Sequence, residues 1–268
     1  MAKSPLLEKM QTGKTALGGR VNDPDIVELF AALGFDWFLI DQMFSASDWG
    51  TTKNLMRAGA AAGITPVVRV QANPWLGYDH RVGIEVTRAF GIGAQFAMVS
   101  HSCNREIEEC LMAAEGWHRN TSTVHQIESG DEWVGKNRAV ADRSHVIPFA
   151  ESKGAFDEIE QTLSLPGLKL FYIAMTDASM VLTGSNKPDW SNPVLWKFVD
   201  KAVRLAGKNG VTIGANSGHA QTLTEIGQRV KRLHEAGVKF ISLQSAQFLF
   251  QKAVGEFLSD LKQELRLD

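Results

Sequence analysis

Cysteine is almost missing from the chain: only Cys103 and Cys110 occur among its 268 residues. They stand seven apart on a stretch that reads as one helix, a spacing that fits neither a zinc site nor a disulfide framework. Such sparing use suits a reducing compartment. Long apolar runs are missing too, and nothing approaches the roughly 18 residues of a membrane span. The opening residues, Met1-Ala-Lys-Ser-Pro-Leu-Leu-Glu-Lys, lack the apolar stretch of a secretory leader. Nor does one sign of charge dominate: 28 basic and 30 acidic residues give a net charge of −2, and no Lys/Arg stripe offsets that balance. This argues against a nucleic-acid partner. The expectation is a soluble, cytoplasmic protein whose partners are small molecules or copies of the same chain.

With 44% hydrophobic and 22% charged residues, the chain has enough apolar side chains to bury a core without staples. Short apolar runs alternate with longer amphipathic segments almost throughout. The strand candidates are Thr15–Gly19, Asp36–Ile40, Pro66–Val70, Ala94–Val99, His145–Ala150, Leu168–Ala174, Val211–Ala215 and Lys239–Leu243. Most are continuously apolar, as in strands covered on both faces. Helical patterns fall at Pro24–Leu33, Trp49–Ala62, Asp79–Phe90, Arg105–Gly116, Ala155–Leu163, Pro193–Lys208, Thr222–Ala236 and Ala246–Leu265. Asp23 before Pro24 is an N-cap followed by proline at the first helical position. Gly34, Gly63 and Gly237 stand just past helix ends. Eight strand–helix repeats in about 250 residues predict one (β/α)8-barrel domain over residues 1–268. A doubly wound open sheet gives the same alternation. No linker or shift of composition divides the chain. The stretch from Trp117 to Ser144 breaks the rhythm, being far longer than a usual connection, and is expected to be functional or a subunit contact.

Several motifs fail on context. Thr12-Gly13-Lys14-Thr15 has the ending of a phosphate-binding loop, but Glu8 stands where the first glycine belongs and no strand precedes it. Gly91-Ile92-Gly93 follows a helix and precedes a strand, the reverse of a dinucleotide fingerprint. Asn120-Thr121-Ser122 is a glycosylation sequon without a secretory context.

In parallel α/β architecture, reactive groups gather at the carboxyl ends of strands. Those ends carry Asp41, Arg69, the run Ser100-His101-Ser102, Glu151, Asp177 and the run Asn216-Ser217-Gly218-His219. Glu151 and Asp177 follow neighbouring strands, so their carboxylates have a route to one mouth. Two carboxylates without cysteine or an obligatory histidine favour a hard divalent cation, Mg²⁺ or Mn²⁺. The competing account is that each caps the helix after it. Arg69, inside an apolar strand, needs an anionic partner. That partner is either a substrate carboxylate or a neighbour such as Asp41 or Glu151.

Asp23-Pro24, Glu28, Gly34-Phe35-Asp36-Trp37, Ile40-Asp41, Pro66-Val67-Val68-Arg69, Glu151-Ser152-Lys153 and Asp177 stand in a recognisable order and spacing. In these residues the chain resembles the metal-dependent 2-keto-acid aldolases of the HpcH/HpaI group, related to the citrate lyase β chain. The resemblance runs from about Lys14 to Gly255 and implies a (β/α)8 TIM barrel of the phosphoenolpyruvate/pyruvate type. It further implies a class II mechanism. A divalent ion (Mg²⁺ or Mn²⁺, with Co²⁺ a further option) at Glu151 and Asp177 chelates the carboxylate and oxo groups of a 2-oxo acid, while Arg69 helps stabilise the enolate. Backbone N–H groups near Thr176, Asp177, Ala178 and Ser179 hold the substrate carboxylate. The expected reaction cleaves or forms 4-hydroxy-2-oxo acids from a pyruvate unit and an aldehyde. The resemblance also implies a homo-oligomer, a hexamer or trimer of dimers, that exchanges the helix Ala246–Leu265 between neighbours.

The chain departs from the family's pattern at one telling place. After the second strand the family carries Ile-Asp-Gly-Glu-His, with histidine as the base; here the run is Ile40-Asp41-Gln42-Met43-Phe44. The partner aspartate of that histidine falls near Gly91, so both halves of the dyad are replaced. Phenylalanine transfers no proton, and general acid–base help is typically worth about 10²–10⁴-fold in rate. His101 is the first candidate to take over and His219 the second, although each also fits a local role at a helix start. Met43, Phe44, Trp49, Trp75 and Met175 suggest a more apolar mouth, with Phe44 and His219 toward the substrate. The alternatives to aldol chemistry are a metal-dependent decarboxylase, hydratase or hydrolase, and a non-catalytic barrel that binds a 2-oxo acid.

Overall fold

The computed structural model describes residues 4–45, 47–115 and 144–266. All but the last residue of the Trp117–Ser144 stretch therefore lies outside the described residues, and so does the question of its role. Eight parallel strands close into a barrel in sequence order, β1 (Ala16–Arg20), β2 (Trp37–Asp41), β3 (Thr65–Arg69), β4 (Phe96–Ser100), β5 (His145–Ala150), β6 (Leu170–Ile173), β7 (Thr212–Asn216) and β8 (Phe240–Ser245). The pairing of β1 with β8, Ala16 opposite Phe240 and Leu17 opposite Ile241, closes the sheet and rules out the doubly wound alternative. Among the described residues no helix is long and apolar enough to cross a membrane.

The continuous apolar strands follow from two packed faces. Trp37, Val67, Phe96, Met98, Ile147, Phe149, Leu170, Tyr172 and Phe240 fill the barrel interior. Residues of opposite parity, such as Phe38, Ile40, Val68, Ala97 and Val99, pack against the surrounding helices. Gly18 is required by the first layer: a Cβ there would stand inside the Trp37 indole, which stacks on Phe240 with centroids 4.1 Å apart.

The helices are α1 (Pro5–Gln11), α2 (Pro24–Ala32), α3 (Trp49–Ala62), α4 (Val82–Gly91), α5 (Asn104–Glu115), α6 (Lys153–Asp157), α7 (Ile159–Leu163), α8 (Met175–Val181), α9 (Pro193–Lys208), α10 (Leu223–Glu235) and α11 (Ala246–Leu265). Asp23 caps α2 by accepting from the N–H groups of Asp25 and Ile26, and Gly63 ends α3 in the left-handed region at φ 75°, as their positions predict. Three features differ from expectation. Helix α1 is additional, and it buries Leu6 and Met10 against the interior cluster at the foot of the barrel. Helix α4 begins at Val82 rather than Asp79, because the Asp79 carboxylate turns back to accept from the Arg81 N–H and guanidinium. The expected helix Ala155–Leu163 is two short ones, α6 and α7. They part at Glu158, whose carboxylate reaches away to the Asn104 N–H at 2.6 Å.

His101 is a correction to the expected site. Strand parity turns Ser100 inward, so His101 points outward into the layer between barrel and helices. Its ring is fully buried, edge-on to Phe171 at 6.3 Å. Its nitrogens make no well-formed hydrogen bond, although backbone groups of Val99 and Phe149 lie near enough to favour the charged form slightly. A side chain so placed does not reach a substrate in the mouth. Burial pushes its pKa down to about 4, and burial does the same to His145. An imidazole held neutral in the fold but free to protonate when unfolded contributes stability that is lost as pH falls from about 6.5 toward 4. Urea unfolding midpoints measured across that range are therefore expected to fall with pH, and to fall less steeply in His101→Phe. An equal slope in the variant would contradict the buried, neutral assignment.

Candidate active site

The parity that fills the barrel with apolar layers also sets which residues crown it. At the carboxyl ends, Arg20 (β1), Asp41 (β2), Arg69 (β3), Ser100 (β4) and Asn216 (β7) follow the inward phase, and Glu151 comes directly after β5. Arg69 is the hub, only 6% exposed. One guanidinium nitrogen donates to Glu151 Oε1 at 2.7 Å and to Ser100 Oγ at 2.8 Å, and its Nε donates to Ser100 Oγ at 3.2 Å. Its third nitrogen lies 3.8 Å from Asp41 Oδ2. Two aromatic rings cover the guanidinium, Phe149 at 4.4 Å and Phe44 at 4.9 Å from centroid to Cζ. A cation this far from water needs such partners, and a guanidinium fork with faces that accept aromatic stacking suits them better than an ammonium would. Of the partners foreseen for Arg69, both Glu151 and Asp41 are in place.

Asp41 is also fixed from below. Its Oδ1 accepts from the N–H groups of Met43 and Phe44 at 3.0 and 3.2 Å, an Asx turn that presents the Phe44 ring over Arg69. Its Oδ2 faces a second guanidinium, that of Arg20, at 3.6 Å. Phe44 itself is exposed, with its ring 6.2 Å from Trp75. The apolar mouth is smaller than expected. Met175 is fully buried in the layer under the helices, and Trp49 packs against the opposite layer, leaving Met43, Phe44 and Trp75 near the opening.

Glu151 and Asp177 share one electrostatic neighbourhood. Burial raises the Glu151 pKa and the Asp177 charge raises it further, against the pull of Arg69 and Ser100. Burial raises Asp177 as well, opposed by its own N–H, by Arg69 and by His219. Neither acid caps its following helix: Ser152 caps α6, and α8 starts at Ala174 without a side-chain cap. Two partly desolvated carboxylates that repel each other, beside one arginine, fit a hard divalent cation. Among the described residues no group of three or more His, Cys, Asp and Glu forms a metal cluster. A cation held here would have two carboxylates as its protein donors.

The donors expected across Thr176–Ser179 narrow to the Thr176 end of α8. The Ala178 N–H is taken by the Ala174 carbonyl, and the Ser179 hydroxyl donates to the Thr176 carbonyl. The Met175 N–H goes to Asn216 Oδ1 at 3.1 Å, which ties β7 to the start of α8. Thr176 Oγ1 is buried with no hydrogen-bond partner among the described residues. His219 is exposed on the loop after β7, near enough for its charge to favour ionised Asp177. Sequence reasoning missed Arg20 as a site residue. The signal was present in strand parity, since Ala16, Gly18 and Arg20 share one phase. A cavity of about 500 Å³, lined by Lys53, Arg57, Thr65 and Gln95 among others, opens at the opposite end of the barrel, away from these groups.

No family model matches the chain. Curated relatives do. A 2-dehydro-3,6-dideoxy-6-sulfogluconate aldolase of Pseudomonas putida is 23% identical over 239 residues, 88% of this chain and 87% of the relative. A 4-hydroxy-2-oxovalerate aldolase of Novosphingobium aromaticivorans is 24% identical over 241 residues, 88% of this chain and 85% of the relative. Among solved structures, an HpcH/HpaI aldolase from Desulfitobacterium hafniense superposes with a TM-score of 0.77 at 20% identity, covering 95% of both chains. The likeness in fold extends over the whole barrel, and the likeness in sequence is to aldolase-type lyases. Over most of its length the chain is thus similar in sequence to aldolases at 23–24% identity, and in fold to an HpcH/HpaI aldolase.

Proposed function

We propose that the protein is a divalent-metal-dependent carbon–carbon lyase that acts on a 2-oxo acid and passes through a pyruvate-type enolate. The observation that carries this reading is the buried Arg69–Glu151 pair at 2.7 Å with Asp177 in the same field. Glu151 and Asp177 would hold the cation, Mg²⁺ or Mn²⁺, which when bound supplies Lewis-acid polarisation of the substrate's oxo group. Arg69, fixed by Glu151, Ser100 and the faces of Phe44 and Phe149, directs a preorganised positive charge at the oxygen that becomes negative as the bond breaks. The Thr176 end of α8 would orient the substrate carboxylate, and Phe44 with Trp75 would exclude water from one side. The names of the relatives, aldolases of a sulfogluconate derivative and of 4-hydroxy-2-oxovalerate, support a 2-oxo-acid substrate.

One observation favours a second reaction on the same site. Phe44 stands where a proton carrier would be, and His101 faces away, so among the described residues His219 is the one imidazole near Asp177. Loss of carbon dioxide from an oxaloacetate-like acid needs no side-chain base to break its bond, whereas retro-aldol cleavage must deprotonate a hydroxyl. Decarboxylation is the second reading.

Assembly is proposed from α11. This helix of 20 residues buries only Ala246 against its own barrel and leaves Phe250, Phe257, Leu258 and Leu265 exposed. Such a face is covered when chains exchange the helix within a homo-oligomer. Sedimentation is expected to give an oligomer in wild type and a smaller species in Phe257→Asp; a wild-type monomer would remove this part.

With Mg²⁺ or Mn²⁺, turnover of 4-hydroxy-2-oxo acids or oxaloacetate to pyruvate is expected to fall by at least about 100-fold in Glu151→Gln and in Asp177→Asn. Breaking a buried pair costs about 3–5 kcal/mol, so unfolding must be followed in Glu151→Gln, and Asp177→Asn serves as the second variant. Both carboxylates titrate above their ordinary range, so metal affinity is expected to weaken on acidification at a higher pH than for exposed acids. Metal-independent turnover, or no product from either substrate class, would count against the proposal.

A further inference from the structure

Among the described residues, Arg20 is the one guanidinium of the mouth that lacks a hydrogen-bonded anion. Its partner Asp41 lies 3.6 Å away, beyond hydrogen-bond reach, and that same Oδ2 is shared with Arg69 at 3.8 Å. Asp41's other oxygen is taken by two backbone N–H groups. Arg69, by contrast, is satisfied by Glu151 and Ser100. The Nε of Arg20 is shielded from solvent and has no partner among the described residues, while the side chain as a whole is 39% exposed. A shielded donor left unpaired is costly. A pair whose only task was to balance charge within the fold would gain by closing to hydrogen-bond distance. Strand phase puts this donor on the inward side of β1, across Asp41 from Arg69 and therefore on the far side of Arg69 from Glu151.

We infer that Arg20 is a specificity-determining residue that binds a second carboxylate on the substrate, so that the preferred ligand is a dianionic 2-oxo acid. This rests on the 2-oxo-acid reading above. The 2-oxo and adjoining carboxylate groups occupy the Glu151–Asp177 end, and the distal carboxylate accepts from the terminal nitrogens of the partly exposed Arg20 guanidinium. Asp41 holds the fork in place without saturating it.

The test is calorimetric binding, without turnover, of 2-oxoglutarate and 2-oxopentanoate, which differ by the distal carboxylate against a methyl group. Saturating Mg²⁺ is present throughout. Wild type is expected to bind the dianion more tightly by roughly tenfold or more, and Arg20→Met to collapse that ratio toward one. Arg20→Gln is the second neutral variant if Arg20→Met does not fold. Equal affinities in wild type, or a preference that survives in a folded neutral variant, overturns the inference and leaves the 2-oxo-acid reading standing. Binding of neither ligand by wild type overturns both.

Discussion

The site is organised by one buried positive charge. Arg69 ends an apolar strand inside a barrel filled with Phe, Tyr, Trp and Met side chains, where an unpaired cation would not be tolerated. Its needs explain the neighbours: Glu151 for charge, Ser100 for the remaining fork, Asp41 at longer range, and the rings of Phe44 and Phe149 beside the guanidinium. Those neighbours then set their own conditions. Glu151 is brought near Asp177, and both acids are pushed toward the protonated form by burial. With Arg20 included, the described residues bring three carboxyl groups and two guanidinia to the mouth. A divalent cation held there, as proposed, would relieve the mutual repulsion of Glu151 and Asp177.

The barrel was legible because its signal is repeated eight times. Each apolar run that was covered on both faces became a strand, with ends displaced by one or two residues except at His145–Ala150. Closure of the sheet was not legible, since the Ala16–Phe240 pairing joins residues far apart in sequence and leaves no local mark. Helix α1 was missed because seven residues with two buried side chains carry too little periodicity. The split at Glu158 depends on a contact with Asn104, which helical pattern does not report.

In the candidate site, the placement of Arg69 and Glu151 at strand ends, and of Asp177 just after β6, was legible, as was that of Phe44 after the second strand. His101 was misplaced for a simple reason: position along a strand says which end a residue occupies, but parity says which face. Ser100 takes the inward phase and bonds Arg69, so its successor turns into the helical layer against Phe171. The same rule, applied to Ala16, Gly18 and Arg20, finds the second guanidinium. The Phe44 ring lies 4.9 Å from the Arg69 guanidinium carbon and shields part of the charge that the other groups of the mouth surround.

Whether the two acids grip one cation is decided most directly by anomalous scattering from crystals grown with Mn²⁺ and oxalate, a planar stand-in for the enolate. A single strong peak is predicted at about 2.1 Å from one oxygen of Glu151 and one of Asp177, with oxalate completing the coordination and facing Arg69. A map without a peak there, with the two carboxylates pointing apart, would contradict the account.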